Sequence, residues 1–265
     1  MKGKWIVPVV GLLLVAMLAI PLASGCGSSA SGQTLKPGKL TMGSDTSYPP
    51  FESMDGNKPV GFDVEVAQAL AKKMGVTLEV ISTAWDGIIP GLKTKKYDMI
   101  MSAMTITPDR QKEINFSTPY YTSNQSIAVV KGSPIKSQAD LKGKVVGVQI
   151  DTTGQTKAEE LQPKVGIKEI QKFDTITVAF EALEQGKVDA IINDYPVNYY
   201  EGQKRGKTQI AQKITTNEQY GIGLRKDNTA LQTSINNAFK AIQADGTYAT
   251  IYKKWFGESP PPAGT

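Results

Sequence analysis

Four polar stretches of the chain carry side chains that could bind a small charged molecule. Arg110 has a planar pair of donors that fits a carboxylate. Thr153 opens a predicted helix, where its hydroxyl and the free backbone N–H groups could bind an anion. Asp194 ends an apolar run and could bind a cation. The stretches are SDTSYPPFE (Ser44–Glu52), SAMTITPDR (Ser102–Arg110), VQIDTTGQT (Val148–Thr156) and INDYP (Ile192–Pro196).

Each of these residues also has an ordinary structural explanation. Asp45, Thr153 and Asp194 could cap helices or turns, Arg110 could form a surface ion pair, and Trp85 could belong to the core. Together they supply a cation with N–H donors for an α-carboxylate, an anion for an α-ammonium group, and aromatic rings for a side chain. The ligand that matches this combination is a free α-amino acid.

Strands and helices that alternate along the chain must position these stretches. Hydrophobic spacing predicts strands at 39–43, 76–80, 98–102, 144–150, 168–172, 188–193 and 220–224, and helices at 86–94, 153–161, 176–185, 228–244 and 248–256. One more helix is expected from an N-cap at Asp63 to a stop at Gly75. Such repeats indicate an α/β architecture with mainly parallel sheets. A weak echo of residues 85–103 at 180–194 suggests two lobes.

The amino acids that the sequence lacks exclude several kinds of catalytic and metal-binding site. It contains no histidine and one cysteine, Cys26. Zinc sites and catalysis by Cys–His or Ser–His–Asp are therefore excluded, and no disulfide can form within the chain. The net charge of +5 is mild and includes no long basic run, so nucleic acid is not an expected partner. We expect a binding protein without a metal or cofactor.

The amino terminus predicts export. Lys2 and Lys4 precede an apolar run that ends in PLASGC at Cys26, as in a signal peptide over residues 1–25. PLASGC resembles a bacterial lipobox, with Ala23 where Leu is commoner. One alternative is a membrane helix, although a span needs about 20 apolar residues, and another is ordinary cleavage that leaves a free thiol.

Polar segments border the folded region. Residues 26–38 begin with the lipidated Cys26 and are expected to form a flexible tether. Residues 259–265, SPPPAGT, are expected to form a disordered tail. The predicted location is the outer face of the cell membrane, or the periplasm, with a lipid anchor at Cys26.

Eight motifs follow one another across residues 40–257: YPPFE, GFDVEVAQALAKKMG, WDGIIPGLKTKKYD, TITPDRQKEINFSTPYY, DLKGKVVGVQ with TTGQ, DAIIND, QYGIGL and GTYATIYKKWFG. In identity and order they resemble the polar amino-acid-binding solute receptors of bacterial ABC importers, which include glutamine-, histidine- and lysine/arginine/ornithine-binding proteins. The resemblance implies a two-lobed type II periplasmic-binding-protein fold with two hinge crossovers. Lobe 1 is expected over 39–121 plus 221–258 and lobe 2 over 126–217, in a monomer that delivers its ligand to a membrane permease.

The same resemblance implies a role for each candidate residue. Arg110 would bind the ligand carboxylate, helped by Thr105 and Thr153, and Asp194 would bind the ammonium group. A backbone acceptor would come from the Ser102 region, Tyr48 and Trp85 would sandwich the side chain, and Asp45 would contact its distal nitrogen. The full predicted set is Asp45, Tyr48, Trp85, Ser102, Ala103, Met104, Thr105, Arg110, Thr152, Thr153 and Asp194.

Departures from the family pattern bear on specificity. Asn193 and Trp85 stand where glutamine-binding members have His and Phe, and Asp151 is an additional carboxylate near the cleft. Asp45 could accept from a glutamine amide or pair with a cation. A charge-assisted contact is roughly twice as strong as a neutral one, and cation–π attraction to Trp85 would add about 0.5–2 kcal/mol. This favours arginine or lysine, with glutamine as the alternative.

Two other functions fit the same resemblance. Some exported dehydratases are similar to these receptors, and a sensor could pass a signal to a membrane kinase. A complete set of residues for gripping an amino acid, Asp194 above all, favours the transport receptor over the enzyme.

Overall fold

The structure is a computed structural model that describes residues 1–5 and 33–261. The predictions for the export signal, Cys26 and the tether fall wholly or mainly on residues 6–32, outside the described residues. Most of the predicted tail, residues 262–265, also lies outside them. Within residues 1–5 and 33–261, no helix has the length and apolar character that a membrane span requires.

Strands and helices alternate from residue 39 to residue 256. The strands are β1 (Lys39–Ser44), β2 (Ser47–Tyr48), β3 (Glu52–Asp55), β4 (Lys58–Val60), β5 (Thr77–Ser82), β6 (Met99–Ile100), β7 (Asn115–Phe116), β8 (Tyr121–Val130), β9 (Val145–Gln149), β10 (Glu169–Phe173), β11 (Ala190–Asp194), β12 (Thr208–Tyr220) and β13 (Gly223–Leu224). The α-helices are α1 (Phe62–Lys73), α2 (Ile88–Lys93), α3 (Pro108–Glu113), α4 (Thr153–Leu161), α5 (Ile176–Glu184), α6 (Tyr195–Arg205), α7 (Thr229–Ala244) and α8 (Thr247–Phe256).

The first sheet combines strands from the two ends of this region, in the order β5-β1-β6-β13-β7. β1 pairs in parallel with β5 and β6, whereas β13 runs antiparallel to β6 and β7. Phe62, Val66 and Leu70 of α1 recur at helical spacing and are fully buried. α1 packs against β5, α7 and α8, so the first lobe is built from both ends of the chain.

The second sheet has the order β10-β9-β11-β8-β12. β9 is parallel to β10 and β11, and β8 is antiparallel to β11 and β12. Helices α4, α5 and α6 pack against these strands. Before β9, a capping box is present, with reciprocal bonds between Ser137 and Asp140.

Two strands connect the lobes. β8 leaves the first lobe at Tyr121 and β12 returns to it at Tyr220, and these two residues pair with each other. The predicted two-lobed α/β fold with two crossovers is therefore confirmed, while the residue boundaries of the lobes stay predictions. One hydrophobic core joins Leu40 and Phe62 of the first lobe to Phe180 of the second, so the lobes are closed against each other.

The predicted start of α1 was wrong. Its N-cap is Gly61, with φ 142°, and Asp63 lies inside the helix with no exposed surface. A Cβ at Gly61 would lie 2.0 Å from the carbonyl oxygen of Phe51. Only glycine fits at this position, and the Asp63 carboxyl group bonds to Ala103 and Tyr120 instead of capping its own helix. The small sheet β2-β3-β4 and helix α6 were not predicted from the sequence.

Candidate ligand-binding site

A cavity with about 290 Å³ of empty space, part of it open to solvent, lies between the two lobes. It is lined by Asp45, Tyr48, Trp85, Ser102, Ala103, Thr105, Arg110, Gln149, Thr152, Thr153 and Asp194. The structure therefore brings together every predicted binding residue except Met104. Met104 is fully buried in a hydrophobic cluster with Ile88 and Leu92, away from the cavity. Gln149 lines the cavity but was not predicted.

The carboxyl ends of strands position the lining residues. Asp45 follows β1 and Ser102 follows β6, whereas Gln149 and Asp194 end β9 and β11. α4 then begins at Thr153, with Thr152 as its N-cap accepting a hydrogen bond from the backbone N–H of Gln155. The cavity thus occupies the place where open α/β sheets bind ligands, and the start of α4 faces it with free N–H groups.

Arg110 provides the positive charge of the cavity. Thr107 caps helix α3 and so places Arg110 one turn into the helix. The guanidinium donates from Nη1 to the carbonyl of Thr105 at 2.9 Å and from Nη2 to the carbonyl of Asp151 at 3.1 Å. Its carbon lies 5.1 Å from the centroid of the Trp85 ring. Burial lowers the pKa of Arg110 from its usual value, and a desolvated guanidinium is a strong carboxylate partner.

Asp194 provides a buried carboxylate on the opposite lobe. Its Oδ2 accepts from the hydroxyls of Tyr48 at 2.8 Å and Tyr220 at 2.6 Å. Its Oδ1 accepts from the amide of Gln125 at 2.5 Å. Burial first, and then the negative charge of Glu218, raise the pKa of Asp194 to about 7. A cation that approached Asp194 would remove this penalty, which makes it a suitable partner for an ammonium group.

Asp45 is a second carboxylate, at the other side of the cavity. Its Oδ1 accepts from the hydroxyl of Ser47 at 2.5 Å and its Oδ2 from the amide of Gln149 at 2.8 Å. Burial raises the pKa of Asp45. Because Gln149 belongs to the second lobe, this contact also joins the lobes. A polar residue that closes the apolar strand VVGVQ was the available sequence signal for Gln149.

Glu218 is a third carboxylate next to the cavity, and it was not predicted from the sequence. It accepts from the hydroxyls of Thr105 at 2.9 Å and Thr153 at 2.7 Å, and from the amide of Gln125 at 3.0 Å. The pairing of β12 with β8 is irregular between Ile214 and Glu218. Asn217, with φ 51°, lies in this irregular part, and such bulges redirect side chains. The pattern TTNEQY does not reveal the bulge.

The remaining lining residues close the rim of the cavity. The indole N–H of Trp85 donates to the carbonyl of Asp151 at 3.0 Å, across the mouth of the cleft. Ser102 and Ala103 are buried, and Ala103 has a φ of 45°. The guanidinium of Arg110 thus shares the cavity with the carboxyl groups of Asp45 and Asp194, and Glu218 lies beside it. Residues 33–261 include no group of three or more His, Cys, Asp or Glu side chains that could hold a metal ion.

Comparison with known proteins identifies relatives over nearly the whole chain. The family model of the bacterial extracellular solute-binding proteins, family 3, matches residues 40–142 and 133–258. An Escherichia coli K12 protein named ABC transporter arginine-binding protein 1 is 38% identical over 251 residues, covering 92% of this chain and 98% of the relative.

Solved structures agree with this result. An ancestral arginine-binding protein with arginine bound superposes with a TM-score of 0.80 at 41% identity, covering 83% of this chain and 99% of the other. An ancestral arginine-binding protein has also been solved with glutamine bound. An ancestral amino acid-binding protein described as a precursor of cyclohexadienyl dehydratase has a TM-score of 0.77 at 41% identity, with coverage of 83% and 96%.

Proposed function

Because the chain belongs to the bacterial extracellular solute-binding proteins of family 3, we propose that it is the receptor of an ABC importer for a free basic amino acid, arginine or lysine. The observation that carries this proposal is that Arg110 lines one cavity together with the carboxylates of Asp45 and Asp194, with Glu218 beside it. Arg110 binds the α-carboxylate, together with backbone N–H groups at Thr105 and Thr153, whose hydroxyls donate to Glu218. Asp194 binds the α-ammonium group.

The charges of the site favour a cationic side chain. The two carboxyl groups that line the cavity, Asp45 and Asp194, and Glu218 beside it outnumber the one guanidinium of Arg110. A neutral zwitterion leaves this excess unchanged, whereas arginine or lysine brings one more positive charge. The side chain extends from Asp194 towards Asp45, beside the ring of Trp85. Its desolvated cation then gains a charge-assisted bond and a cation–π contact.

Binding and closure are one event in this proposal. Arg110 and Asp45 belong to the first lobe and Thr153 and Asp194 to the second, so one amino acid must bridge the cleft. A ligand that contacts both lobes shifts the population towards the closed form. Small-angle scattering with and without saturating arginine measures this, and an unchanged radius of gyration would argue against closure. The closed form is the one delivered to the membrane permease.

The proposal extends to the amino terminus and the lobe boundaries. Cys26 carries lipid after cleavage, residues 26–38 act as the tether, and a monomer is formed by lobes over 39–121 plus 221–258 and over 126–217. Support comes from the lipobox-like PLASGC and from a family of extracellular proteins. The intact mass of the mature protein checks the anchor: a diacylglycerol adduct at Cys26 is expected, and a mature protein that starts elsewhere contradicts it.

A thermal-shift panel of the twenty amino acids tests the proposed function. A ligand at 100 times its dissociation constant stabilises the folded state by about 2.7 kcal/mol. The largest shifts are expected for arginine and lysine. A shift for glutamine alone would favour the alternative of a glutamine receptor, for which the amide of Gln149 beside Asp45 offers a polar partner. Turnover of a dehydratase substrate without any amino-acid shift would favour the enzyme.

A further inference from the structure

Two acidic residues outside the cavity, Glu52 and Asp63, lie together in the first lobe. Glu52 begins strand β3 and Asp63 lies in the first turn of α1. Neither side chain has any exposed surface. No Lys or Arg of residues 33–261 forms an ion pair with either carboxylate. Two buried and unpaired negative charges would be very costly, because the interior does not solvate them.

The hydrogen bonds of the two residues leave one oxygen on each without a donor. Glu52 Oε1 accepts from the hydroxyl of Ser102 at 2.5 Å. Asp63 Oδ2 accepts from the backbone N–H of Ala103 at 2.8 Å and from the hydroxyl of Tyr120 at 2.7 Å. Glu52 Oε2 and Asp63 Oδ1 are buried and find no donor in the described part of the chain, and the two carboxyl groups bond to adjacent residues, Glu52 to Ser102 and Asp63 to Ala103.

A proton shared between the two carboxyl groups would satisfy the two oxygens that lack a donor, because a protonated carboxyl group donates to the remaining oxygen of its neighbour. We propose that Glu52 and Asp63 share one proton and that this pair is the positioning element for the first-lobe half of the ligand site. Burial and the charge of Asp63 raise the pKa of Glu52 well above its usual range. Burial also raises the pKa of Asp63 to about 7.

The pair reaches the cavity through two short contacts. Ser102, which bonds to Glu52, accepts a hydrogen bond from the backbone N–H of Asp45 at 2.9 Å. Ala103, whose N–H bonds to Asp63, has a φ of 45°, a conformation that a non-glycine residue keeps only when its surroundings enforce it. The pair therefore fixes the two loops that carry Asp45 and Ser102. Asp63 of the pair also accepts a hydrogen bond from Tyr120, the residue that precedes crossover strand β8.

Amide substitutions distinguish a role of the shared proton from a role of side-chain volume alone, because they keep the volume and remove the carboxyl group. In Glu52→Gln, the amide NH₂ can donate to Asp63 while its oxygen accepts from Ser102. In Asp63→Asn, the oxygen can accept from Ala103 and Tyr120 while the NH₂ donates to the Glu52 carboxylate. Each single change replaces the proton with an amide hydrogen. In the double variant the two NH₂ groups face each other, and neither has a carboxylate oxygen to which it can donate. At least one hydrogen bond is therefore lost.

Infrared spectroscopy at about pH 8.5, where ordinary carboxyl groups are ionised, detects the proton directly. The wild type should show the carbonyl band of one protonated carboxylic acid that is absent from both Glu52→Gln and Asp63→Asn. Asp55→Asn, which removes an exposed carboxylate of the same strand β3, should keep the band. A folded wild type without this band, or a band that persists in both single variants, would overturn the proposal.

Unfolding as a function of pH gives an independent result. A carboxyl group whose pKa is raised by folding makes stability highest below its unfolded value, about 4.3 for Glu, and stability then falls as pH rises towards the folded value. One such proton increases the unfolding constant by up to about tenfold per pH unit. Glu52→Gln should lose the part of the slope that comes from this proton, whereas Asp194 still contributes its own part, and Asp55→Asn should keep the wild-type slope. The neighbouring titratable groups Asp45, Tyr120 and Tyr248 are unchanged in both variants. Equal slopes in the wild type and Glu52→Gln would contradict the shared proton.

The positioning role rests on the proposed function and is tested with L-arginine as the probe. At pH 7, both single-amide variants should bind within about threefold of the wild type, and the double variant should lose about tenfold or more, as expected for an unsatisfied buried group. The positioning role would be overturned if the single variants bound L-arginine as weakly as the double variant. It would also be overturned if a folded double variant had wild-type affinity. If the wild type itself fails to bind arginine, the proposed function fails, while the infrared and unfolding results still decide on the proton.

Discussion

Arg110 supplies a positive group and Asp194 a negative group to the cavity. Because both are buried, each gains from binding a partner of opposite charge. Desolvation lowers the pKa of Arg110 and raises that of Asp194, so each charged form is less favourable in the empty site than in water. A ligand with a carboxylate and an ammonium group relieves both penalties at once. A molecule that lacks either group relieves only one.

Arg110→Ala should nearly abolish amino-acid binding without unfolding the protein. Removing one partner of a buried charge pair typically costs about 2–5 kcal/mol, which is at least about 30-fold in affinity. Isothermal titration with L-arginine measures the loss. Lys112→Ala, on the exposed face of the same helix α3, should bind like the wild type. Near-normal affinity in Arg110→Ala would show that the carboxylate site has been misassigned.

Asp45→Asn should weaken arginine more than glutamine. The substitution removes a negative charge but keeps a group that can accept a hydrogen bond. A cationic side chain therefore loses a charge-assisted contact, for an expected decrease of about tenfold, whereas an amide side chain changes much less. Parallel titrations of the variant with both amino acids check this. Equal losses would remove the basis for a preference for basic side chains.

The pH dependence of binding should follow Asp194. Because its pKa is raised to about 7, the carboxylate that binds the ammonium group becomes protonated as pH falls below 7. The affinity for arginine should then decrease by up to about tenfold per pH unit. The stability of the ligand-free protein changes in the opposite direction, since a raised pKa means that stability falls as pH rises towards 7. Titrations between about pH 5.5 and 8 test this, with Asp194→Asn expected to be weak and nearly independent of pH.

At the scale of elements, strand ends and helix starts position the site. The sequence predicted β1, β5, β6, β9, β11 and α4, because regular apolar spacing marks these elements, and it predicted ten of the eleven lining residues, which lie at or after the ends of these elements. It missed Glu218, since the bulge of β12 depends on pairing with the distant β8. It placed Met104 in the cavity, although Met104 points into the core, because motif position does not determine which way a side chain faces. The orientations of Glu218 and Met104 depend on tertiary contacts, which a sequence pattern does not show.

Helix α4 provides a test at this scale. Thr152→Ala removes the N-cap of α4, and Thr175→Ala removes the equivalent N-cap of α5, which does not line the cavity. Each change should cost about 1 kcal/mol of stability. Only Thr152→Ala should also weaken arginine binding, because it loosens the N–H groups that face the ligand carboxylate. Equal arginine affinities in the two variants would contradict the role given to the start of α4.

At the scale of the whole molecule, two lobes close over the charged cavity. The two-lobed architecture was predictable because the family motifs run in order over nearly the entire chain. The contacts that join the lobes were not, since Asp45–Gln149, Trp85–Asp151 and Tyr48–Asp194 each connect residues from distant parts of the sequence. All three surround the ligand cavity. Ligand recognition and lobe contact therefore use the same residues.

The most direct test is a calorimetric titration of the wild type with L-arginine, L-citrulline and agmatine. Citrulline has the shape of arginine with a neutral ureido group, and agmatine lacks the carboxylate. Arginine should bind with one site per chain, and both analogues should be weaker by about tenfold or more, because each loses a charge-assisted contact. Citrulline as tight as arginine would contradict the claim that the site selects a cationic side chain. Agmatine as tight as arginine would contradict a carboxylate site at Arg110.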